Sequence, residues 1–248
     1  MTTGVMPRTG KPAFLLSQAM LDPRASIGTL REKPLHASLK DWYGRPGDRV
    51  EWPVDGFVVD LVRDDLLIEI QTRSFSSMKR KLTSLLDLGH RVRIVHPIAI
   101  DRWIVKIDDS GTILSRRRSP KHGDPTDLFA ELVSFPEMLV SPNLEIDLIL
   151  TNEDEIRRHT PDRAWRRKGW VVVERHLLEV VESALIRSPD DVIALIPDGL
   201  PEPFTTAELA DALERPRRAG QQMAYCLLKA GLLTTAGKRG NSVLYAMT

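Results

Sequence analysis

The chain has 248 residues, enough for one large domain or two modest ones, and 42% of them are apolar, which is enough to fill a core. Its 35 basic and 34 acidic residues leave a net charge of +1, so nucleic acid would have to be recognised by local basic clusters. A single cysteine, Cys226, excludes an internal disulfide bond and a four-cysteine zinc site. Neither a secretion signal nor a run of roughly 18 apolar residues is present, so we expect a cytoplasmic protein.

The first elements along the chain indicate a helix followed by strands. Residues 1–24 carry Gly, Pro and Thr with little apolar periodicity, and we interpret them as an N-terminal arm. In residues 33–44 the helical spacing places four apolar side chains on one face: Leu35, Leu39, Trp42 and Tyr43. Residues 49–62 and 66–72 are rich in β-branched residues, which predicts strands.

The next region adds a helix and further strands. Apolar residues at helical spacing predict a helix over residues 74–90, and residues 91–100 and 102–108 predict two strands. Residues 115–125, "SRRRSPKHGDP", are predicted to form a basic loop, and residues 170–186 are compatible with a helix or a strand. This order of elements predicts an α/β fold with a mixed sheet.

The C-terminal region has the pattern of three short helices and a hairpin. The helices are predicted over residues 188–197, 205–214 and 217–231, and either Thr205 or Thr206 caps the second. The hairpin that follows has a basic, glycine-rich tip, "GKRGN". We therefore divide the chain into an arm (1–24), an α/β domain (25–155), a connecting segment (156–187) and a C-terminal domain (188–248).

The segment "DLVRDDLLIEIQT", residues 60–72, carries the strongest functional signal. If Asp64 and Asp65 form a two-residue turn, Asp60 lies directly opposite Glu69 and both side chains leave the same face of the hairpin. Gln71 shares that face because side chains alternate along a strand. A three-residue loop would instead put the two carboxylates on opposite faces.

Two carboxylates on one sheet face are unfavourable unless one holds a proton or a cation lies beside them. Mg²⁺ prefers carboxylates and water as ligands, and the bound ion can activate water and stabilise a phosphate under attack, so the pattern predicts phosphodiester chemistry. A structural alternative is that Asp60 pairs with Arg73 or Arg93. Asp55 is a rival for the aspartate role, but its opposite parity to Asp60 prevents an unbulged strand from pointing both to one face, and Asp60 is favoured.

The segment resembles the PD-(D/E)XK nuclease superfamily. The resemblance covers residues 28–107, and the matching residues are Glu32, Asp60, Glu69 and Gln71, followed by the basic helix "SSMKRKLTSLL". It implies a restriction-endonuclease-like fold for residues 25–155, in which helices flank a mixed sheet. The chain departs from the superfamily's pattern at Gln71, where the pattern has lysine, and at Pro34, which follows shortly after Glu32.

The resemblance also implies an activity, namely endonucleolytic hydrolysis of DNA with Mg²⁺ or Mn²⁺. Asp60 and Glu69 would bind the metal ion together with the carbonyl oxygen of Ile70. Glu32 would assist this metal ion through a water molecule.

The missing lysine leaves the positioning of the attacking water to other groups. Gln71 can hold a water molecule by hydrogen bonds but brings no charge, so we expect Lys79 or Lys81 of the next helix to supply the ammonium group, with Lys79 assigned to the catalytic set. Lys79 and Lys81 would also contact DNA phosphates, unless they only form the solvated face of the helix.

The C-terminal helices and hairpin resemble a winged helix-turn-helix domain. In such folds the third helix enters the major groove of DNA, and here it would offer four polar side chains: Arg217, Arg218, Gln221 and Gln222. Lys238 and Arg239 at the tip of the wing would contact the DNA backbone. Either Tyr225 or Cys226 joins the core of this domain.

Alternative functions of another class stay open. A catalytically inactive member of the fold would bind DNA without cutting it, and the glutamine at position 71 favours this alternative. A winged helix can also dock a protein partner. Nucleases of this kind often pair to cut two strands, so a homodimer is compatible with the resemblance.

Overall fold

The computed structural model describes residues 33–161 and 168–248. Over this part of the chain a seven-stranded mixed sheet is flanked by helices, which confirms the predicted α/β class. The strands of the sheet are β1 (Arg49–Val54), β2 (Phe57–Arg63), β3 (Leu66–Ile70), β4 (Arg91–Ile107), β5 (Ile113–Arg118), β6 (Leu144–His159) and β7 (Trp170–Ile186). The helices are α1 (Pro34–Tyr43), α2 (Lys79–Asp87), α3 (Leu128–Leu132), α4 (Pro189–Ile193), α5 (Thr206–Ala212) and α6 (Arg217–Lys229). A separate two-stranded sheet contains β8 (Leu233–Arg239) and β9 (Ser242–Met247).

The strand order of the large sheet is β1-β2-β3-β4-β6-β7, and β5 also pairs with β4. β1, β2 and β3 are antiparallel neighbours, whereas β3 and β4 are parallel. A parallel pair needs a crossover connection, which the 3-10 turn Phe75–Ser77 and α2 supply. None of the helices in the described ranges is long and apolar enough to cross a membrane.

The chain divides into two compact units. The first contains residues 99–123 together with the described parts of residues 1–44 and 149–184. The second contains residues 45–98, 124–148 and 185–248. β4, β6 and β7 run through both units because the boundaries fall inside these strands.

In the first unit, α1 begins with Pro34 in its first turn and buries Leu35, Leu39 and Tyr43. Trp42, which the helical spacing places with these residues, is 47% exposed. Trp42 lies at the margin of the stripe that the three buried residues define. Glu32, the candidate that precedes α1, lies outside the described residues.

Three segments differ from the predicted elements. Two strands were predicted over residues 91–100 and 102–108, but residues 91–107 form one continuous strand, β4. Ser115–Arg118, predicted within a loop, forms the end of β5 and pairs with β4. Residues 170–186 are a strand, so much of the predicted connecting segment 156–187 lies in the sheet.

The C-terminal helices lie in the second unit and pack on residues 124–148. The Cys226 thiol lies 3.6 Å from the carbonyl oxygen of Phe129, and Arg215 contacts the carboxylate of Asp127. The side chain of Thr205 caps α5, which decides between the two threonines. Residues 188–248 therefore form one compact unit with residues 45–98 and 124–148.

Candidate functional site

The β2–β3 hairpin has the predicted register. Leu61 pairs with Ile68 and Arg63 pairs with Leu66, which leaves Asp64 and Asp65 as a two-residue turn. Asp64 has a φ of 53°, a left-handed conformation that Asp tolerates better than most residues. Continued by one more pair, this register would place Asp60 opposite Glu69.

The pairing of β2 with β3 stops at Leu61 and Ile68, although both strands continue. We call the region beyond this point the fork; it contains residues 58–60 of β2 and residues 69–70 of β3. In a continued ladder Ile70 would pair with Val59. Instead, the N–H group of Ile70 donates to Oδ2 of Asp60 at 2.7 Å. The Asp60 carboxylate therefore replaces a main-chain partner at the point where the strands separate.

Lys81 of α2 contacts both strands of the fork. Its ammonium group donates to the carbonyl oxygen of Val58 and to Oε1 of Glu69, each at 2.5 Å. The side chains of Lys81 and Glu69 are only 19% and 12% exposed, so water screens this ion pair weakly. One lysine thus bridges both strands of the fork.

The environment of Glu69 favours its protonated form. Burial is the main cause that raises its pKa from 4.5 to about 7, and the nearby charge of Asp60 raises it further, while Lys81 opposes both. Glu69 therefore exchanges a proton near neutral pH. A carboxyl group with this pKa beside a second carboxylate is a common feature of functional sites.

Gln71 serves the turn that leads into α2. Its side-chain amide group donates to the carbonyl oxygen of Ser74 at 3.1 Å and to Oγ of Ser77 at 3.0 Å. Its backbone carbonyl accepts a hydrogen bond from Nδ1 of His96 at 2.7 Å. The side-chain N–H groups of Gln71, which were expected to hold a water molecule, therefore donate to protein atoms instead.

The two candidate lysines differ in position. Lys79 is exposed at the start of α2, whereas Lys81, two residues later, reaches Glu69. Asp55, the rival aspartate, lies in the β1–β2 turn, where it is 2.5 Å from Nε2 of His90. Arg93, considered above as a partner of Asp60, donates to Glu145 at 2.7 Å.

His96 is a neighbour of the site that the sequence analysis did not identify. The parallel register places Glu69 beside Ile94, so His96 follows on the same face, next to Gln71. Its ring packs edge-on against Phe75 with a centroid distance of 4.9 Å. The position of His96 beside the site follows from the pairing of β3 with β4. The alternation of side chains along a single strand does not predict this pairing.

The exposed side of α6 carries Arg217, Arg218 and Gln221, while Gln222 is half-buried. Tyr225 is 41% exposed on this helix. Cys226 is buried, and burial, aided by the charge of Glu137, raises the pKa of its thiol to about 12, so it belongs to the core.

The tip of the β8–β9 hairpin carries two cations with different surroundings. Lys238 is exposed. The Arg239 guanidinium donates to Oε1 of Glu208 at 2.6 Å and to the carbonyl oxygen of Pro203 at 3.3 Å. Arg239 therefore has an intramolecular partner at the start of α5.

The described residues contain no group of three or more His, Cys, Asp and Glu side chains that converge as a metal site. As possible metal ligands, the fork contains the two carboxylates of Asp60 and Glu69 together with main-chain oxygen atoms. Such a set of hard oxygen ligands suits Mg²⁺ or Mn²⁺ with water completing the coordination.

Comparison with known proteins gives a family. The model of the family "Domain of unknown function (DUF8091)" matches residues 33–187, from α1 to the end of β7. A protein of Treponema pallidum (strain Nichols), named "Uncharacterized protein", is 29% identical over 224 residues, which cover 89% of this chain and 87% of that protein. No solved structure matches the chain. Because the family model covers more than half of its length, the chain belongs to the family Domain of unknown function (DUF8091).

Proposed function

We propose that this protein is a metal-dependent DNA endonuclease with a restriction-endonuclease-like core and a C-terminal winged helix that binds DNA. One observation carries the proposal: Asp60, Glu69 and Lys81 meet at the fork of β2 and β3. Two carboxylates and one ammonium group, shielded from water, are what a metal-assisted attack on a phosphodiester requires of a protein.

Asp60 and Glu69 would hold Mg²⁺ or Mn²⁺. The fit is supported by the raised pKa of Glu69, to which the charge of Asp60 contributes, because a divalent cation would offset this repulsion. When bound, the ion would lower the pKa of a water molecule and offset the charge of the phosphate.

Lys81 would take the place of the lysine that the superfamily's pattern has at position 71. Its ammonium group already contacts Glu69, so it lies within reach of a phosphate or a water molecule bound next to that carboxylate. The carbonyl of Val58 holds the lysine in place at 2.5 Å. Gln71 would then act indirectly, through the turn that sets the position of α2.

The DNA-binding part of the proposal depends on the order α4, α5, α6, β8, β9 and on the charges that these elements expose. Arg217, Arg218 and Gln221 are exposed on the helix that would enter the major groove, and Lys238 is exposed on the wing. Arg239 would have to leave Glu208 before it could contact DNA.

The experiment is a cleavage assay on single-stranded, double-stranded and branched DNA with Mg²⁺ or Mn²⁺. The test variant is Asp60→Asn/Glu69→Gln, because an asparagine oxygen can still accept the hydrogen bond from Ile70 and the fork is preserved. Asp65→Asn is the matched control, since Asp65 lies in the exposed turn of the same hairpin and pairs only with Arg91 among described residues, at 3.3 Å. Cutting by the parent and the control but not by the test variant supports the proposal; equal activity in all three contradicts it.

A second candidate is a nuclease fold that has lost cleavage and only binds DNA or a protein partner. Two observations favour it. Glu69 and Lys81 already form an ion pair with each other, and the amide group of Gln71 already donates a hydrogen bond within the turn that precedes α2. DNA binding that is retained in both the parent and the test variant, without cutting by either, would select this candidate.

A further inference from the structure

A carboxylate from another element holds the turn that leads into α2. The N–H group of Phe75, the first residue of the 3-10 turn Phe75–Ser77, donates to Oε2 of Glu131 at 3.0 Å. Glu131 lies on α3, 56 residues further along the chain. Within the described part of the chain Glu131 forms no ion pair, so the Phe75 N–H group is the polar partner that the fold gives to this carboxylate.

The turn and the start of α2 lack a strong cap of their own. Met78, which precedes the helix, makes no side-chain cap hydrogen bond. Ser74 accepts from the N–H group of Ser76 at 3.4 Å, which is a long hydrogen bond. Leu82 and Leu85 bury the apolar side of α2. Because apolar contacts are not directional, they set the depth of the helix but not the position of its first turn.

The helix that carries Glu131 is itself held by buried contacts. The carbonyl oxygen of Phe129 in α3 lies 3.6 Å from the Cys226 thiol of α6. The ring of Phe135, just after α3, stacks on the ring of Phe75 with a centroid distance of 5.4 Å. The carboxylate of Glu131 therefore joins the turn to an element whose own position is fixed.

Lys81 lies in the first turn of α2, and its ammonium group is 2.5 Å from both Oε1 of Glu69 and the carbonyl oxygen of Val58. Contacts this close tolerate little displacement of the start of the helix. We propose that Glu131 is a positioning residue for Lys81: by holding the Phe75 N–H group it fixes the turn from which α2 starts, and with it the ammonium group at the fork. Its effect on cleavage rests on the nuclease function proposed above, whereas the placement of Lys81 can be measured without it.

The test is competitive acetylation of the full chain with a trace of acetic anhydride, read by mass spectrometry for single lysines. The Lys81 side chain is 19% exposed and forms an ion pair, whereas Lys79 is exposed and serves as the internal reference. Glu131→Ala removes the acceptor, and Glu131→Gln keeps an oxygen atom that can accept from Phe75. Thr205→Ala is the matched control, because it removes a side-chain cap from α5 in the same unit.

In Glu131→Ala the acetylation of Lys81 relative to Lys79 should rise about tenfold, as expected for the loss of a hydrogen bond to a charged acceptor. Glu131→Gln and Thr205→Ala should keep the ratio of the parent. An unchanged ratio in Glu131→Ala overturns the proposal, and so does an equal rise in Thr205→Ala or Glu131→Gln. If Glu131→Ala fails to fold, Glu131→Asp, whose shorter side chain withdraws the carboxylate from Phe75, decides by the same ratio.

Cleavage gives a second readout on a DNA substrate that the parent cuts. Glu131→Ala should lower kcat about tenfold with little change in KM, because a displaced Lys81 affects the reaction more than substrate binding, and Glu131→Gln should restore kcat. An unchanged kcat in Glu131→Ala would overturn the effect on cleavage. A parent that cuts no DNA would instead contradict the proposed function, while acetylation would still decide the role of Glu131.

Discussion

Replacing Glu69 with Gln is expected to remove a specific pH dependence from the stability of the fold. Burial, together with the charge of Asp60, raises the pKa of Glu69 from 4.5 to about 7 in the native state despite the opposing charge of Lys81. The unfolded chain releases this proton near its ordinary value of 4.5. Between these two values the native state binds more protons than the unfolded state, so its free energy of unfolding falls as the pH rises.

The size of the effect follows from the two pKa values. The interval from 4.5 to about 7 corresponds to about 3 kcal/mol, at about 1.4 kcal/mol for each tenfold change in proton affinity. Because the Glu69 side chain is only 12% exposed, solvent screening reduces this figure little. Glutamine does not titrate, so the parent should lose about 3 kcal/mol relative to Glu69→Gln across this window.

The assay is urea unfolding of both proteins, followed by circular dichroism, from about pH 4.5 to about pH 8.5. Groups remote from Glu69 titrate alike in the two proteins, so the difference between their free energies of unfolding reports Glu69 together with its coupling to Asp60 and Lys81. Asp65→Asn serves as the control, because it removes a carboxyl group from the exposed turn of the same hairpin. A difference between parent and Glu69→Gln that stays constant over the whole range would refute the reasoning.

Magnesium gives this experiment a second use. An ion that binds the ionised form of Glu69 lowers its pKa, so saturating Mg²⁺ should flatten the pH dependence of the parent and leave Glu69→Gln unchanged. An unaltered slope would argue against the metal site while leaving the electrostatics of the fork intact.

Three other changes test the remaining parts of the molecule. Gly220→Ala is expected to lower the free energy of unfolding by about 1–3 kcal/mol, because a Cβ there would lie 2.8 Å from a backbone nitrogen of α5; urea unfolding measures the loss. Lys81→Met should slow metal-dependent DNA cleavage about 100-fold or more, whereas Lys79→Met should leave it near the parent rate, because the ammonium of Lys81 is the one that contacts Glu69. Arg218→Ala should weaken DNA binding similarly for all sequences and reduce the slope of log affinity against log salt by about 1.

Each of these expectations has a contrary result. An unchanged unfolding midpoint in Gly220→Ala would show that α5 and α6 can separate without loss. Equal cleavage by the Lys81 and Lys79 variants would remove the proposed role of Lys81. A salt slope that Arg218→Ala leaves unaltered would place DNA elsewhere than on α6.

The hairpin register was predictable because two local rules agree there. Asp64-Asp65 is polar and tolerates a tight turn, and the apolar residues on either side must stay buried, so slippage by one residue would expose them. The cap of α5 was predictable to within one residue, since either Thr205 or Thr206 could cap it, and the structure gives Thr205, whose side chain accepts a hydrogen bond from the N–H group of Glu208.

Long-range pairing explains what the sequence did not reveal. Residues 170–186 satisfy both a helical and a strand pattern, and their neighbour β6 decides for a strand. β4 continues through Asp101, which separated the two predicted strands, because β6 and β5 supply partners along its length. The choice of Lys81 over Lys79 depends on the phase of α2, which the 3-10 turn Phe75–Ser77 sets and no periodicity predicts.

The fork itself gives a reason to prefer a functional explanation of its charges. Where β2 and β3 separate, the N–H group of Ile70 and the carbonyl of Val58 need partners, and neutral side chains such as Asn and Gln could supply them without a charge. The chain instead uses Asp60 and Lys81 and adds Glu69, a largely buried carboxyl group whose pKa is raised to about 7 mainly by burial. A side chain that lowers the stability of the fold is expected at a functional site, where residues are selected for chemistry and not for packing. The carboxylate pair and the lysine therefore support the proposed site for a cation and a phosphate.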